Sequence, residues 1–141
     1  MDERVVEKTL SLRAPVEVVW RAISDPEELS RWFGQRAELE LRPGAEGAFI
    51  WDDHGSFACR VDEVDPPHRL VWSWVHEPDV PFSAAPATRV EWTLTEGEDG
   101  GTILHLRESG FLTDHHQGQN DDGWDEELAE LAGLVGSGAA A

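Results

Sequence analysis

The chain has 141 residues, one domain's worth, and its 29 Asp and Glu against 11 Lys and Arg give a formal net charge of −18. A field this negative repels phosphate backbones and anionic head groups, which excludes nucleic acid and membrane surfaces as partners. A hydrophobic share of 40%, with seven Trp and five Phe, is too rich for a disordered acidic chain, so the acid belongs on a folded surface.

The first residues, Met1-Asp2-Glu3-Arg4, lack the basic start and apolar run of a signal peptide. From Val5 to Leu12 the side chains alternate, with Val6, Leu10 and Leu12 on one face and Glu7, Thr9 and Ser11 on the other, which is the period of a half-buried strand. Lys8 interrupts the apolar face. Pro15 suits a first helical turn, and Val16, Val19, Trp20 and Ile23 follow at helical spacing. Asp25-Pro26-Glu27-Glu28 reads as an N-cap, a first-turn proline and a capping-box acid opening a second short helix, with Leu29, Trp32 and Phe33 on it and Gly34 at its end.

The period then changes to two. Ala37, Leu39 and Leu41 alternate with acids and Arg42, Pro43-Gly44 turns the chain, and a strand begins at Ala48 and reaches Trp51. Asp53-His54-Gly55 closes a hairpin into a strand carrying Phe57, Cys59 and Val61. After Asp65-Pro66-Pro67 the next strand puts Leu70, Trp72 and Trp74 on one face. Glu77 to Ala87, with three prolines, reads as a loop and a mobile rim. Val90, Trp92 and Leu94, a Gly97–Gly101 turn, and Leu104 and Leu106 make a last hairpin. Residues 112–120 read as polar and irregular. A helix is expected from about Asp121, its acids at the positive end of the dipole and Trp124, Leu128, Leu131, Ala132 and Val135 in one stripe, ending at Gly136-Ser137-Gly138. The prediction is one domain over residues 1–136 and a flexible tail over 137–141.

Strand, two short helices, about six to seven antiparallel strands and one long helix define an α+β chain. With Ala14-Pro15-Val16-Glu17-Val18-Val19-Trp20, Asp25-Pro26, Arg31-Trp32-Phe33, Gly101-Thr102 and Glu108-Ser109-Gly110-Phe111, the sequence resembles the START-like (SRPBCC, Bet v 1-like) domains. Among them it is most similar to the activator of Hsp90 ATPase homologue 1-like proteins. The resemblance implies a helix-grip fold, a curved antiparallel sheet around the C-terminal helix, with a cavity between them. It does not imply one activity, since such domains serve as ligand binders, carriers, cyclases and co-chaperones.

A cavity there would be lined from the sheet by Phe49 or Trp51, with Phe57, Trp72, Trp74 and Trp92, and from the short helices by Trp32 and Phe33. Trp124, Leu128 and Leu131 would close it from the last helix, with His76 at its mouth and Phe111 after the last strand. Singly, each of these reads as core filling; together they suit a planar or apolar ligand, with the acidic surface selecting neutral or cationic ones. His76 continues the Leu70, Trp72, Trp74 face, and a ligand hydrogen bond or acid/base role competes there with a plain rim histidine.

Asp114-His115-His116 lacks a metal-ligand spacing and reads as a solvated loop, His54 and His68 as surface residues, and His105 as facing solvent. No hydrolase, zinc-protease, phosphate-loop or dithiol signature occurs. Cys59 reads as a small core residue. Arg89, Glu91 and Arg107 would pair across the last hairpin without functional consequence. No catalytic residue, metal or cofactor is assigned. The lone cysteine, and the absence of some eighteen consecutive apolar residues, set the expectation of a soluble protein in a reducing cytoplasm.

The functional expectation is binding or sequestration of a small hydrophobic or aromatic molecule. The alternatives are a co-chaperone-like module docking a protein partner through its acidic surface, and a cyclase-like or hydrolytic enzyme acting through a rim group such as His76.

Overall fold

A computed structural model describes residues 4–34 and 36–135. Strand β1 (Val6–Leu12) is followed by helices α1 (Val16–Ser24) and α2 (Pro26–Leu29). Six strands come next: β2 (Arg36–Glu38), β3 (Glu46–Trp51), β4 (Gly55–Asp65), β5 (Arg69–Val75), β6 (Ala87–Glu96) and β7 (Thr102–Ser109). Helix α3 (Asp114–Val135) closes the order. All seven strands form one antiparallel sheet in the order β1-β7-β6-β5-β4-β3-β2. Only β1 leaves chain order, crossing to pair with β7, with Leu10 opposite Leu104. A register shift between Val61 and Glu63 breaks the β4–β5 ladder, the kind of bulge that bends a strand and deepens sheet curvature. This is the α+β helix-grip fold.

The inward faces follow from period two. Leu70, Trp72 and Trp74 of β5, Val90, Trp92 and Leu94 of β6, and Leu104 and Leu106 of β7 are all buried beneath the helices. Helix α1 adds Val16, Val19 and Ile23 to the same core. Asp25 caps α2, its carboxylate accepting from the Glu27 N–H at 3.1 Å with Pro26 in the first turn. Helix α2 is shorter than predicted: Trp32 and Phe33 lie in the turn beyond it, and Gly34 (φ 78°) reverses the chain there. That turn drives Trp32 into the core, where its Nε1–H donates to the Ala22 carbonyl at 2.8 Å. The predicted β2 alternation to Leu41 is cut back to Glu38. Pro15 is the residue before α1 rather than its first turn, and its carbonyl accepts from Val18 and Val19.

The larger correction concerns α3. It begins at Asp114, not near Asp121, so of residues 112–120, expected to be irregular, 114–120 form its first two turns. Thr113 caps it, its hydroxyl oxygen accepting from the His116 N–H at 3.1 Å and its carbonyl from the Gln117 N–H at 3.2 Å. The acids from Asp121 onward therefore sit within the helix rather than at its dipole end. The expected stop at Gly136-Ser137-Gly138 and the 137–141 tail lie outside the described residues. Lys8, which interrupted the apolar face of β1, pairs with Asp121 and, at 2.8 Å, with Asp125, and Gln117 Nε2–H donates to the Val5 carbonyl at 3.0 Å. These bonds fasten the helix across β1. Among the described residues no helix is long and apolar enough to cross a membrane.

Candidate functional site

The inward face of β7 runs Thr102, Leu104, Leu106, Glu108, placing a carboxylate where the strand otherwise buries apolar groups. Glu108 is 0% exposed, and a buried charge survives only when donors surround it. Three neighbouring elements supply them. Trp74 Nε1–H, from β5, donates to Oε2 at 2.9 Å; Trp124 Nε1–H and Asn120 Nδ2–H, from α3, donate to Oε1 at 2.7 and 3.1 Å; the Thr88 hydroxyl, from β6, donates to Oε2. His76, just past β5, holds Nε2 at 2.6 Å from Thr88 Oγ1 and 3.4 Å from Glu108 Oε2. The Thr88 proton is committed to Glu108, so His76 Nε2 carries the proton that Thr88 Oγ1 accepts. Burial alone would raise this carboxyl's pKa, but the bonds from His76, Thr88 and Trp124 and the nearby His76 charge outweigh it and hold Glu108 below the usual carboxylate range. An ionised carboxylate therefore orients two indoles.

Beside that carboxylate a cavity of about 360 Å³ opens to solvent. Phe33, Trp51, Phe57, Trp74 and Trp124 wall it, and His54, His76, Asn120, Gly123 and Glu127 complete the lining. The rings fix one another: Phe33 stacks on Trp124 with centroids 5.4 Å apart and planes 7° from parallel, and Trp51 meets Phe33 edge-on at 5.0 Å and Phe57 at 5.7 Å. Glu127, from α3, is half-buried against this wall. Burial first, then the charges of Glu130 and Glu126, pushes its pKa up to about 7. A second cavity, about 510 Å³ and more polar, lies on the other side of His76 and Asn120, between the 77–87 segment and the start of α3.

The side chains predicted to line a hollow divide in two. Phe33, Trp51, Phe57, Trp74, His76 and Trp124 meet at the cavity. Trp32, Phe49, Trp72, Trp92, Leu128 and Leu131 lie within the packed core instead, with Trp32 against Trp92 at 6.0 Å and Phe49 against Trp72 at 4.9 Å. Trp72 and Trp92 are wholly buried, and their Nε1–H groups have no hydrogen-bond partner among the described residues. Phe111 is buried beside His116, centroids 5.0 Å apart, and lines neither cavity.

The histidines also divide. The Asp114-His115-His116 loop is helix: His115 is exposed, whereas His116 packs edge-on against His76 at 4.4 Å, and burial with the His76 charge lowers its pKa. His54 is exposed yet lines the cavity. His68 stands at the surface near Glu96, and His105 lies on the outer sheet face between Thr9 and Glu7. Cys59 is buried core, its thiol pushed up to about 12 mainly by burial.

Sequence reading missed Glu108, Thr88, Asn120 and Glu127. The signal for the first two was present: continuing the inward alternation of β6 and β7 by one step lands on Thr88 and Glu108.

The family model described as "Activator of Hsp90 ATPase homolog 1-like protein" matches residues 13–136. The chain belongs to this family. No curated protein matches it. Among solved structures, it is similar to DynU16 of the dynemicin biosynthetic locus, at 28% identity and a TM-score of 0.80 over 99% of this chain. That match takes in 51% of DynU16, so the chain spans about half that protein's length. It is likewise similar to MLL2253 from Mesorhizobium loti, at 26% identity and a TM-score of 0.82, covering 93% of this chain and 96% of that one. CalU16 from Micromonospora echinospora follows at 25% identity and a TM-score of 0.75, with coverage of 96% and 85%. Family membership is consistent with ligand binding or with an Hsp90-related interaction, and by itself selects neither.

Proposed function

We propose that the protein binds a small apolar or aromatic molecule in the cavity beside Glu108. One observation carries the reading: five aromatic rings face an open volume of about 360 Å³, inside the range of roughly 300–1,000 Å³ that small-molecule sites occupy. Glu108 already satisfies the indole N–H groups of Trp74 and Trp124, so these walls are held in place before a ligand arrives and little ordering remains to oppose binding. What they offer is ring face and apolar area.

The test is a titration with neutral fused-ring alcohols, 1-naphthylmethanol first, read by Trp fluorescence. Gly123 supplies the control, since it lines the cavity and a Cβ added there meets nothing within 4 Å. Saturable quenching that disappears in a folded Gly123→Leu variant is expected. No quenching by any of the alcohols, or undiminished binding in that variant, overturns the reading.

The family description and the net charge of −18 favour a second reading, an interaction module for Hsp90. It predicts complex formation with Hsp90 that weakens from low to high salt, because surface charge contacts are screened. Absence of a complex at low salt removes it.

A further inference from the structure

We propose that the occupant of this cavity is a cation: an aromatic or apolar body bearing one ammonium group, with its charge seated between the Trp51, Trp74 and Trp124 rings and the Glu127 carboxylate. The inference rests on the ligand-binding reading above and names the class of ligand. Four features of the site point to it.

The first is the lining. No Lys or Arg contributes to the wall, and the carboxylate that does, Glu127, makes no hydrogen bond or ion pair among the described residues. A half-buried acid beside indole rings, with Glu126 and Glu130 as its charged neighbours, has no countercharge among the described residues, and an ammonium seated against it would favour its carboxylate form. The second is the electronic state of the rings. Trp74 and Trp124 both donate their N–H to the ionised Glu108, and a carboxylate at the N–H edge pushes electron density into the indole, strengthening the negative face that attracts cations.

The third is that this donation uses up both N–H groups. These two indoles have no donor left for a ligand carbonyl or carboxylate, so they give an anion nothing to bond, whereas an ammonium needs no donor from them. The fourth is the surrounding field, set by 29 acidic residues against 11 basic ones, which raises the concentration of cations at the mouth. The two histidines on the lining, His54 and His76, are the only groups there able to oppose it, and His76 directs Nε2–H at Thr88 rather than into the cavity.

A matched set of three probes tests the class: 1-naphthylmethylamine, 1-naphthylmethanol and 1-naphthylacetate, which share one ring system and differ in charge. At neutral pH the ammonium is expected to bind about tenfold more tightly than the alcohol, the worth of one cation–π contact with a partly buried countercharge, and the carboxylate more weakly than either. Glu127→Gln is expected to bring the ammonium's affinity down to within about twofold of the alcohol's in the same variant. Equal affinities for amine and alcohol, or an amine advantage that survives Glu127→Gln, overturn the cation proposal while the ligand-binding reading stands. Failure of all three probes to bind overturns both.

Discussion

Among single residues, two glutamates stand in opposite environments. Glu108 is buried among donors from three elements, and Glu127 is half-buried with none among the described residues, so the first is held ionised and the second resists ionisation. Replacing Glu108 by Gln removes the charge and turns an NH₂ group toward the indole and hydroxyl donors. A loss of about 2–4 kcal/mol in urea unfolding is expected, the usual consequence of leaving buried donors unmatched. Because the folded-state pKa of Glu108 is depressed, its contribution is present above its unfolded value and lost as pH falls through the folded one. The wild type should therefore lose more stability than Glu108→Gln between about pH 5 and about pH 3, and parallel pH profiles would contradict this.

Glu127 has the reverse sign. Its pKa rises from 4.5 to about 7 on folding, so its penalty is absent below the unfolded value, grows as pH rises through the folded one, and is complete above it. Glu127→Gln should raise the melting temperature at pH 8 and change it little at pH 4. A uniform shift would refute that assignment. Neither glutamate stood out in the sequence, for a physical reason: among 29 acids, Glu108 at an inward strand position looks like ordinary surface unless the alternation is followed to the strand's last residues, and Glu127 stands in the acidic run Asp125-Glu126-Glu127.

At the scale of elements the sheet was legible and the long helix only half so. Short turns such as Gly97–Gly101 specify antiparallel neighbours, and period-two alternation specifies the buried face, which together order six of the seven strands. Only the β1–β7 pairing required knowledge of the fold. The first turns of α3 escaped because hydrophobic periodicity sees only apolar inward positions. Here the inward positions are polar: Gln117 reaches the Val5 carbonyl and Asn120 reaches Glu108, seven and four residues before Trp124 and in phase with it.

Those turns also carry Gly118, which a helix tolerates at a cost, and a Cβ there meets nothing within 4 Å. Gly118→Ala is expected to stabilise the protein by about 0.5–1 kcal/mol. Destabilisation would mean that the segment is not helical in solution. On the outer face, Glu91 accepts from Arg69 and stands near Arg89 and Arg107, a ladder of ion pairs across three strands. Burial opposes ionisation of Glu91, and the three guanidinium groups overcome it and lower its pKa.

For the molecule as a whole, two features compete. The interior is filled where Trp32, Phe49, Trp72 and Trp92 meet, and the 360 Å³ cavity opens beside Trp51, Trp74 and Trp124, so among the described residues the protein is a packed grip with an open pocket rather than a hollow shell. Around it, a charge of −18 repels itself and strains the compact state. Added salt should raise the melting temperature by about 3 °C, a gain near 1 kcal/mol for a chain of this size, even though it weakens the Lys8 pairs to α3. A fall would show that local ion pairs outweigh the global repulsion.

The seven indole N–H signals of a ¹H–¹⁵N spectrum give the most direct test of where a ligand goes. On titration with 1-naphthylmethanol, the signals of Trp51, Trp74 and Trp124 should move while those of Trp20 and Trp32 stay in place. Seven unmoved signals, or displacement led by Trp20 and Trp32, would contradict the account.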